Sequence, residues 1–475
     1  MNIGTIQRQS LISVIWQIAL SLIGFVSTIY FVRFAGTEIL GTYFIVLTYY
    51  SIITMVSDGG LGITAIKRIS EGDEPNEFLT AFFTVRFLLT IISLILLIVF
   101  RNYFANLNSS GAFFWLLFLI LINGIVGFIG LGNAGSGKIG IHATCNFFGE
   151  TSKIIIQIIA IFLGFGVAGL VGGVIISLLV SSILELKFFD LRFVKFKWIH
   201  IKNLATFSFW LFLTSSGALI YTNIDVILIG HFLGNSDVSI YKVINQFAMI
   251  GLLVSNSINA ALWPKINRWG KIKDLKLMEA SLSHAINFSL LLAIPILIGG
   301  IILGDRLLIF FYGNAFNKGY GTLVVMLMVQ IMSIFQMFYL SYLGALDRQK
   351  DAFKVTIVTV VINVILNYTL IPIIGIIGAA VATFITMFMN ALLARLLLSK
   401  IIDVNIDRYS LLNILKASFI MSIIILLYRS LNIMIYPLNV VLVPVLIGGI
   451  IFIYFIMKFD DSVNKEIKNI VANII

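Results

Sequence analysis

Long apolar stretches broken by short polar ones run the whole length of the chain. Fourteen of them reach the roughly 20 residues that a helix needs to cross a hydrocarbon core of about 30 Å. They lie near 11–32, 40–65, 80–100, 112–131, 143–163, 167–186, 207–229, 239–262, 281–303, 321–343, 355–371, 374–398, 411–429 and 438–457. The pattern predicts an all-α, polytopic membrane bundle. Gly164-Phe165-Gly166 alone parts the fifth and sixth stretches, and Pro372 to Gly375 the eleventh and twelfth. Read as kinks in longer helices, these two connections would reduce the count to twelve. The first stretch is 22 residues long and mostly apolar, with no small-residue cleavage site after it, so it is expected to remain in the mature protein.

Composition sharpens the class. Of 475 residues 60% are apolar and 11% charged, against about 25% charged in an average soluble domain. With 32 basic and 21 acidic side chains the chain cannot clothe a water-soluble core. A soluble enzyme, a secreted scaffold and a disordered tail are excluded. Cys145 is the one cysteine, which leaves no internal disulfide and no thiolate cluster for a metal.

The net charge of +11 is explained by position and not by a nucleic-acid partner. The tails and even-numbered loops hold 22 Lys and Arg, from Arg8 through Lys138 and the clusters at 187–202, 265–276 and 348–354 to Lys468. The opposite loops hold five: Arg33, Arg101, Arg306, Lys318 and Arg429. By the positive-inside rule both termini are cytoplasmic. Trp198, Trp210, Trp263 and Trp269 flank the basic segments, where an amphipathic ring suits the headgroup layer. Residues 264–280 interleave Ile266, Trp269, Ile272, Leu275 and Met278 with lysines, which predicts an interfacial helix. Together with 187–202 it would attract anionic lipid, though a bare topology signal needs the same lysines.

The sequence also repeats. Residues 32–67 align without a gap to 230–265 at an offset of 198, bringing Gly36 onto Gly234, Tyr43 onto Tyr241, Ser57 onto Ser255 and Lys67 onto Lys265. A second block matches at an offset of 209, with Gly166 to Gly169 on Gly375 to Gly378 and Gly135 on Gly344. Six spans separate the copies, so they share orientation and are related by an axis along the membrane normal. Two six-helix lobes, 1–200 and 201–400, are expected, with 401–475 as an additional transmembrane pair and cytoplasmic tail.

These motifs resemble the polysaccharide-biosynthesis transporters of the multidrug/oligosaccharidyl-lipid/polysaccharide superfamily, the O-antigen-type lipid-linked oligosaccharide flippases. The likeness covers about 1–400. It rests on Arg33 to Tyr43 with Leu61 to Arg68, the Asp225 to Gly230 run with Gly234 and Tyr241, Trp263-Pro264, and Gly344 to Arg348 followed by Asn363, Asn367 and Pro372 to Gly378. The resemblance implies two lobes that open alternately to either side and carry a polyprenyl-diphosphate-linked glycan across the cytoplasmic membrane, with glycan-assembly enzymes as partners. It further implies that the last two spans could form a groove for a lipid tail, as in the peptidoglycan-precursor branch.

A charge at membrane depth costs about 2.5–3.5 kcal/mol on insertion scales, so each one present is a candidate for function. Lys153 lies at the middle of the fifth stretch with Glu150 one turn before it. Lys153 could hold a diphosphate, with Glu150 its counter-ion; the pair could equally cement helix packing. Arg86 lies about 9 Å into the third stretch, Arg395 near the inner end of the twelfth, and Arg33 and Lys242 at the outer rim. Arg86, Lys153 and Arg33 or Lys242 would make a ladder of cations for an anionic headgroup. Asp58, Asp225 and Glu150 are candidates for coupling an ion, Asp225 more as a structural acid because the family resemblance places one there.

The string Gly130 to Lys138 contains GxGxxG and nearly a P-loop. A membrane helix precedes it and Ile139 stands where a magnesium-binding hydroxyl is needed, so it is expected to be a hinge and not a nucleotide site. The four histidines lack ligand spacing, and neither an enzyme site nor a cofactor is expected. The rival functions are a drug/cation antiporter of the same superfamily, which should place a carboxylate in an acidic or apolar cavity, and a peptidoglycan-precursor flippase.

Overall fold

The structure, a computed structural model, describes residues 3–104, 107–108, 110–430, 437–461 and 463–465. The side chains of Arg8 and Trp210, and all of Lys468, lie outside the described part. Among the described residues there are fifteen α-helices and no strand. They are α1 (Ile3–Asp58), α2 (Leu61–Glu71), α3 (Pro75–Val99), α4 (Ala112–Gly135), α5 (Ile139–Phe162), α6 (Gly166–Leu186), α7 (Trp198–Phe232), α8 (Asn235–Ala248), α9 (Leu253–Ile272), α10 (Leu275–Tyr312), α11 (Tyr320–Ala345), α12 (Gln349–Ile374), α13 (Ile376–Leu398), α14 (Arg408–Ser430) and α15 (Pro437–Phe459). Leu88, Ile92, Ile95 and Val99 are exposed along one side of α3. An apolar strip of that length is stable only against hydrocarbon.

Twelve helices among the described residues are long and apolar enough to cross a membrane, against fourteen expected spans. The difference arises at two places. Ala19–Asp58 joins most of the first two expected spans in a single stretch, and the seventh falls in α7, whose described apolar part is the shorter Leu219–Phe232. A straight helix of 56 residues, the length of α1, would run about 84 Å, far more than one crossing. The chain turns within it at Gly36, whose φ of 81° and ψ of 166° fall in a region open essentially to glycine alone. Gly36→Ala is therefore expected to lower stability by about 1–3 kcal/mol, read as an earlier thermal unfolding in detergent. Gly24→Ala, whose Cβ would meet nothing within 4 Å in the same helix, should instead be neutral or stabilising.

The connections that could have been kinks are true breaks. Gly164 and Gly166 have φ of 79° and 53°, and Gly375 has φ of 66°, so α5–α6 and α12–α13 are separate antiparallel hairpins. The repeat is visible here as backbone conformation. Gly36 and its aligned partner Gly234 both have positive φ, 81° and 105°, as do Gly166 and Gly375. Gly169 and Gly378 each admit a close neighbour: a Cβ on Gly169 would lie 2.5 Å from Ala160 Cβ, and one on Gly378 2.5 Å from the backbone oxygen of Leu370.

Contacts divide the chain into two compact units, 1–240 and 241–475. In the first, α5 packs along α6, α4 on α6 and α1 on α5, while α7 lies against α1, α2 and α3. Thus α7, which the repeat assigns to the second copy, clusters with the first unit. In the second, α11 and α12 both pack on α13, repeating the α4, α5 and α6 arrangement, and the C-terminal pair α14–α15 packs on α10. Asn363 donates to Thr386 at 3.1 Å and Asn390 to Thr359 at 2.9 Å, so these deep amides tie α12 to α13.

Two segments depart from expectation. Residues 264–280 do not make a separate interfacial helix: α9 runs on to Ile272, Lys273 takes φ of 56°, and Asp274 starts α10 by accepting the Leu277 N–H at 3.2 Å. The reason is burial. Ile266 and Met278 are fully buried in the second unit's core with Trp269 and Leu275 packed on it, leaving Ile272 to face outward. The glycine string is not a hinge throughout. Gly130, Gly132 and Gly135 lie within α4 at close contacts with side chains of α5 and α6, of Phe189 and of α2, and only Gly137, with φ of 78°, makes the turn.

Candidate functional site

The first unit contains a cavity of about 530 Å³ bordered by α1 to α7. Its polar wall begins at the end of α1. Two glycines, Gly59 and Gly60 with φ of 54° and 76°, break the helix there, and Asp58 Oδ2 accepts the Gly62 N–H at 3.1 Å, capping α2. Asp58 Oδ1 faces Arg86 Nε at 3.7 Å. Arg86 lies eleven residues after Pro75, because α3 starts before the expected edge at 80. It is about 16 Å along the helix, near the middle of α3.

Everything around Arg86 is shaped to its guanidinium. Phe82, one turn earlier, carries it at 5.6 Å from the ring centroid. On α4, a Cβ at Gly127 would lie only 2.9 Å from Arg86 Nη1, so the absence of a side chain there makes the room. Arg86 is 8% exposed, and its Nη1 is buried with no acceptor among the described residues. A buried guanidinium N–H without an acceptor is unfavourable by about 1–3 kcal/mol or more, and an anionic ligand or water entering the cavity can supply one.

A second pair closes the cavity on the side of α5 and α6. His142 Nδ1 lies 2.6 Å from Glu185 Oε1, and Asn133 Nδ2 donates to Glu185 O at 3.1 Å. Tyr50, Asn123, Asn146 and Ser181 add neutral hydrogen-bonding groups to the cavity lining. The arrangement can hold a polar, hydroxyl-bearing anion: a fork of N–H donors for its charge, amides and hydroxyls for its other oxygens.

Of the charged candidates singled out in the sequence, Arg86 and Asp58 line this cavity, and Lys153, Glu150, Arg33, Lys242 and Asp225 do not. Lys153 is ion-paired to Glu150 on the seam between α5 and α6, where Ser177 Oγ donates to Glu150 Oε1 at 3.4 Å. One turn on, Gln157 Nε2 donates to Tyr43 Oη at 3.1 Å and to Leu170 O at 2.7 Å. Asp225 is buried and its Oδ1 accepts the Val226 N–H at 2.8 Å. Arg33 and Arg395 are exposed, and Lys242, in the second unit, is half-buried. The cations at depth thus sit beside carboxylates: Arg86 with Asp58 and Lys153 with Glu150. Sequence reasoning missed His142 and Glu185, which are paired across 43 positions of sequence. The signal was present, since Glu185 is an acid inside the last turn of an expected span.

An all-helical, multi-pass membrane protein with a polar, ion-paired cavity in its N-terminal unit is the class these features define. Residues 6–269 match the family described as polysaccharide biosynthesis protein, more than half of the chain, and the chain belongs to that family. Residues 211–369 also match the MatE family. Among relatives, the probable low-salt glycan biosynthesis flippase Agl15 of Haloferax volcanii is 24% identical over 380 residues, 80% of each chain. The probable flippase AglR of the same organism is 22% identical over 461 residues, 95% of each. Among solved structures, the lipid II flippase MurJ in an inward closed conformation matches with a TM-score of 0.76 at 19% identity, covering 95% of this chain and 99% of that one. At that identity the likeness is one of fold.

Proposed function

We propose that the protein is a flippase that moves a polyprenyl-diphosphate-linked oligosaccharide, a polysaccharide repeat unit, from the inner to the outer leaflet of the cytoplasmic membrane. It does so by alternating access of the two repeat lobes, 1–200 and 201–400, with 401–475 appended, both termini cytoplasmic and no chemical change to the cargo. The observation that carries this reading is Arg86: a cation held near the middle of α3 on a cavity wall, with an N–H that has no acceptor among the described residues. A diphosphate or an acidic sugar supplies that acceptor, and the amides and hydroxyls nearby suit a glycan. Lys153, with Glu150 as its counter-ion, and Arg33 and Lys242 would hold the anion at other points of its path, and Asp58, Asp225 or Glu150 could couple an ion. The exposed lysines of 187–202 and 264–280 would meet anionic lipid.

The carboxylates Asp58 and Glu185 in the same cavity favour the rival reading of a drug/cation antiporter. Purified protein in proteoliposomes with a fluorescent sugar on a short prenyl diphosphate separates the two. The flippase reading expects sugar-lipid to exchange between leaflets at a rate that excess lipophilic cation does not reduce. Uptake of the cation without exchange of the sugar-lipid would overturn it.

A further inference from the structure

Among the described residues two carboxylates pair with an imidazole, Glu74 with His200 and Glu185 with His142; the Glu74 side chain is exposed and that of Glu185 is buried, and holding an anionic cargo does not require the second pair. Glu185 is 3% exposed although it lines the cavity, and its nearest charged partner is an imidazole instead of a permanently charged group. Three helices clamp the contact. A Cβ at Gly130 of α4 would lie 2.8 Å from His142 Cε1 and 2.9 Å from Glu185 Oε2, so only glycine leaves room for both side chains. Asn133, also on α4, fixes the Glu185 backbone.

A carboxylate withdrawn from water is strongly unfavourable unless its charge is balanced. Here balance is reached in two ways: imidazolium beside carboxylate, or neutral imidazole beside carboxylic acid. Both contain one proton more than neutral imidazole beside carboxylate. Histidine is the side chain whose charge changes within the physiological pH range. We propose that His142 and Glu185 form a binding site for one proton, and that its occupancy is linked to anion binding at Arg86 in the same cavity; the linkage rests on the cargo reading above.

The sign of the linkage follows from the groups that face the pair. Across the cavity stand Arg86 on α3 and Asp58 at the end of α1, which balance each other. On α5, Cys145 is one turn beyond His142, and Lys138 at the start of the helix is occupied by Asp190 and Phe188 O. α4 offers the neutral Asn123 and Asn133, and α7, among the described residues, Leu219. Without the extra proton the cavity carries one net negative charge; with it, none. An anionic headgroup is therefore held more tightly when the pair is protonated, and the bound anion by the same factor favours the proton.

The test uses a prenyl sulfate, whose charge does not change between pH 5 and 9, titrated calorimetrically into the purified full-length protein in two buffers of different ionisation heat. The expected result is net proton uptake on binding, up to one per probe, and an affinity that falls as pH rises, by at most tenfold per unit. The double variant His142→Gln with Glu185→Gln should bind the probe with no proton uptake, and Cys145→Ser should keep the uptake. Wild-type binding without proton uptake, or uptake that survives in the double variant, overturns the proposal. If the wild type does not bind the probe, the cargo reading of this cavity fails instead. The pair is then judged on ligand-free protein by the titration of imidazole-labelled His142: a curve displaced by Glu185→Gln supports it, and an undisplaced one overturns it.

Discussion

Arg86→Ala is expected to abolish leaflet exchange of a prenyl-diphosphate sugar in proteoliposomes, while the variant inserts and unfolds at nearly the wild-type temperature. Removing one partner of a buried charged contact with a ligand costs about 2–5 kcal/mol, or on the order of 30-fold or more in affinity. The fold should survive because Asp58 keeps a second role, accepting the Gly62 N–H at the start of α2, and borders a cavity that water can enter. Arg86→Lys should retain part of the exchange, since it keeps the charge at that depth and loses the planar fork that meets a diphosphate with two parallel bonds. Normal exchange by the alanine variant at matched protein content would remove the cargo role of this cation. A collapse of both stability and exchange would show that Arg86 acts through packing.

Lys153 poses the sharper question of whether a cation outside the cavity takes part. Lys153→Ala strands Glu150 on the α5–α6 seam. The side chains are 21% and 33% exposed, which moderates the several kcal/mol that a fully buried pair would lose to about 1–2 kcal/mol. A loss of exchange in this variant alone is therefore ambiguous. The double variant Lys153→Met with Glu150→Gln removes both charges and keeps the side-chain volume, so its thermal unfolding should return to the wild-type value. Exchange is expected to stay at least tenfold below wild type, because the point charge is gone from the path of the anion. Full recovery of exchange along with stability would make the pair a structural tie between α5 and α6 and nothing more.

Much of the architecture can be read from the chain because a bilayer allows so few solutions: length and apolarity identify helices, and glycines mark where they end. The repeat is an example. Gly36 aligns with Gly234 and Gly166 with Gly375 in sequence, and each pair proves to be a turn of positive φ, a conformation that leaves its trace in residue type. The 264–280 segment shows the limit. Its lysines alternate with apolar residues as an interfacial helix would require, but Ile266 and Met278 turn inward to the core of their own unit, and periodicity does not say whether the partner of an apolar face is lipid or protein. The site was legible only in part for a related reason. Charges at depth are visible in the sequence, and Arg86 and Asp58 were both marked. Which acid neutralises which base depends on how helices face one another, so the 43-residue reach from His142 to Glu185 and the space left by Gly127 and Gly130 had no one-dimensional signature.

The central claim is that the protein moves lipid-linked sugar from the inner leaflet to the outer. It is tested most directly by the leaflet distribution of lipid-linked oligosaccharide in membranes from cells with and without the protein, labelled with an impermeant sugar-modifying reagent. Depletion is expected to leave the carrier facing inward, shielded from reagent added outside, and restoring the wild type but not Arg86→Ala should return it to the outer face. A distribution that does not change on depletion would contradict the account and direct attention to Asp58 and Glu185 as the acids of a cation antiporter.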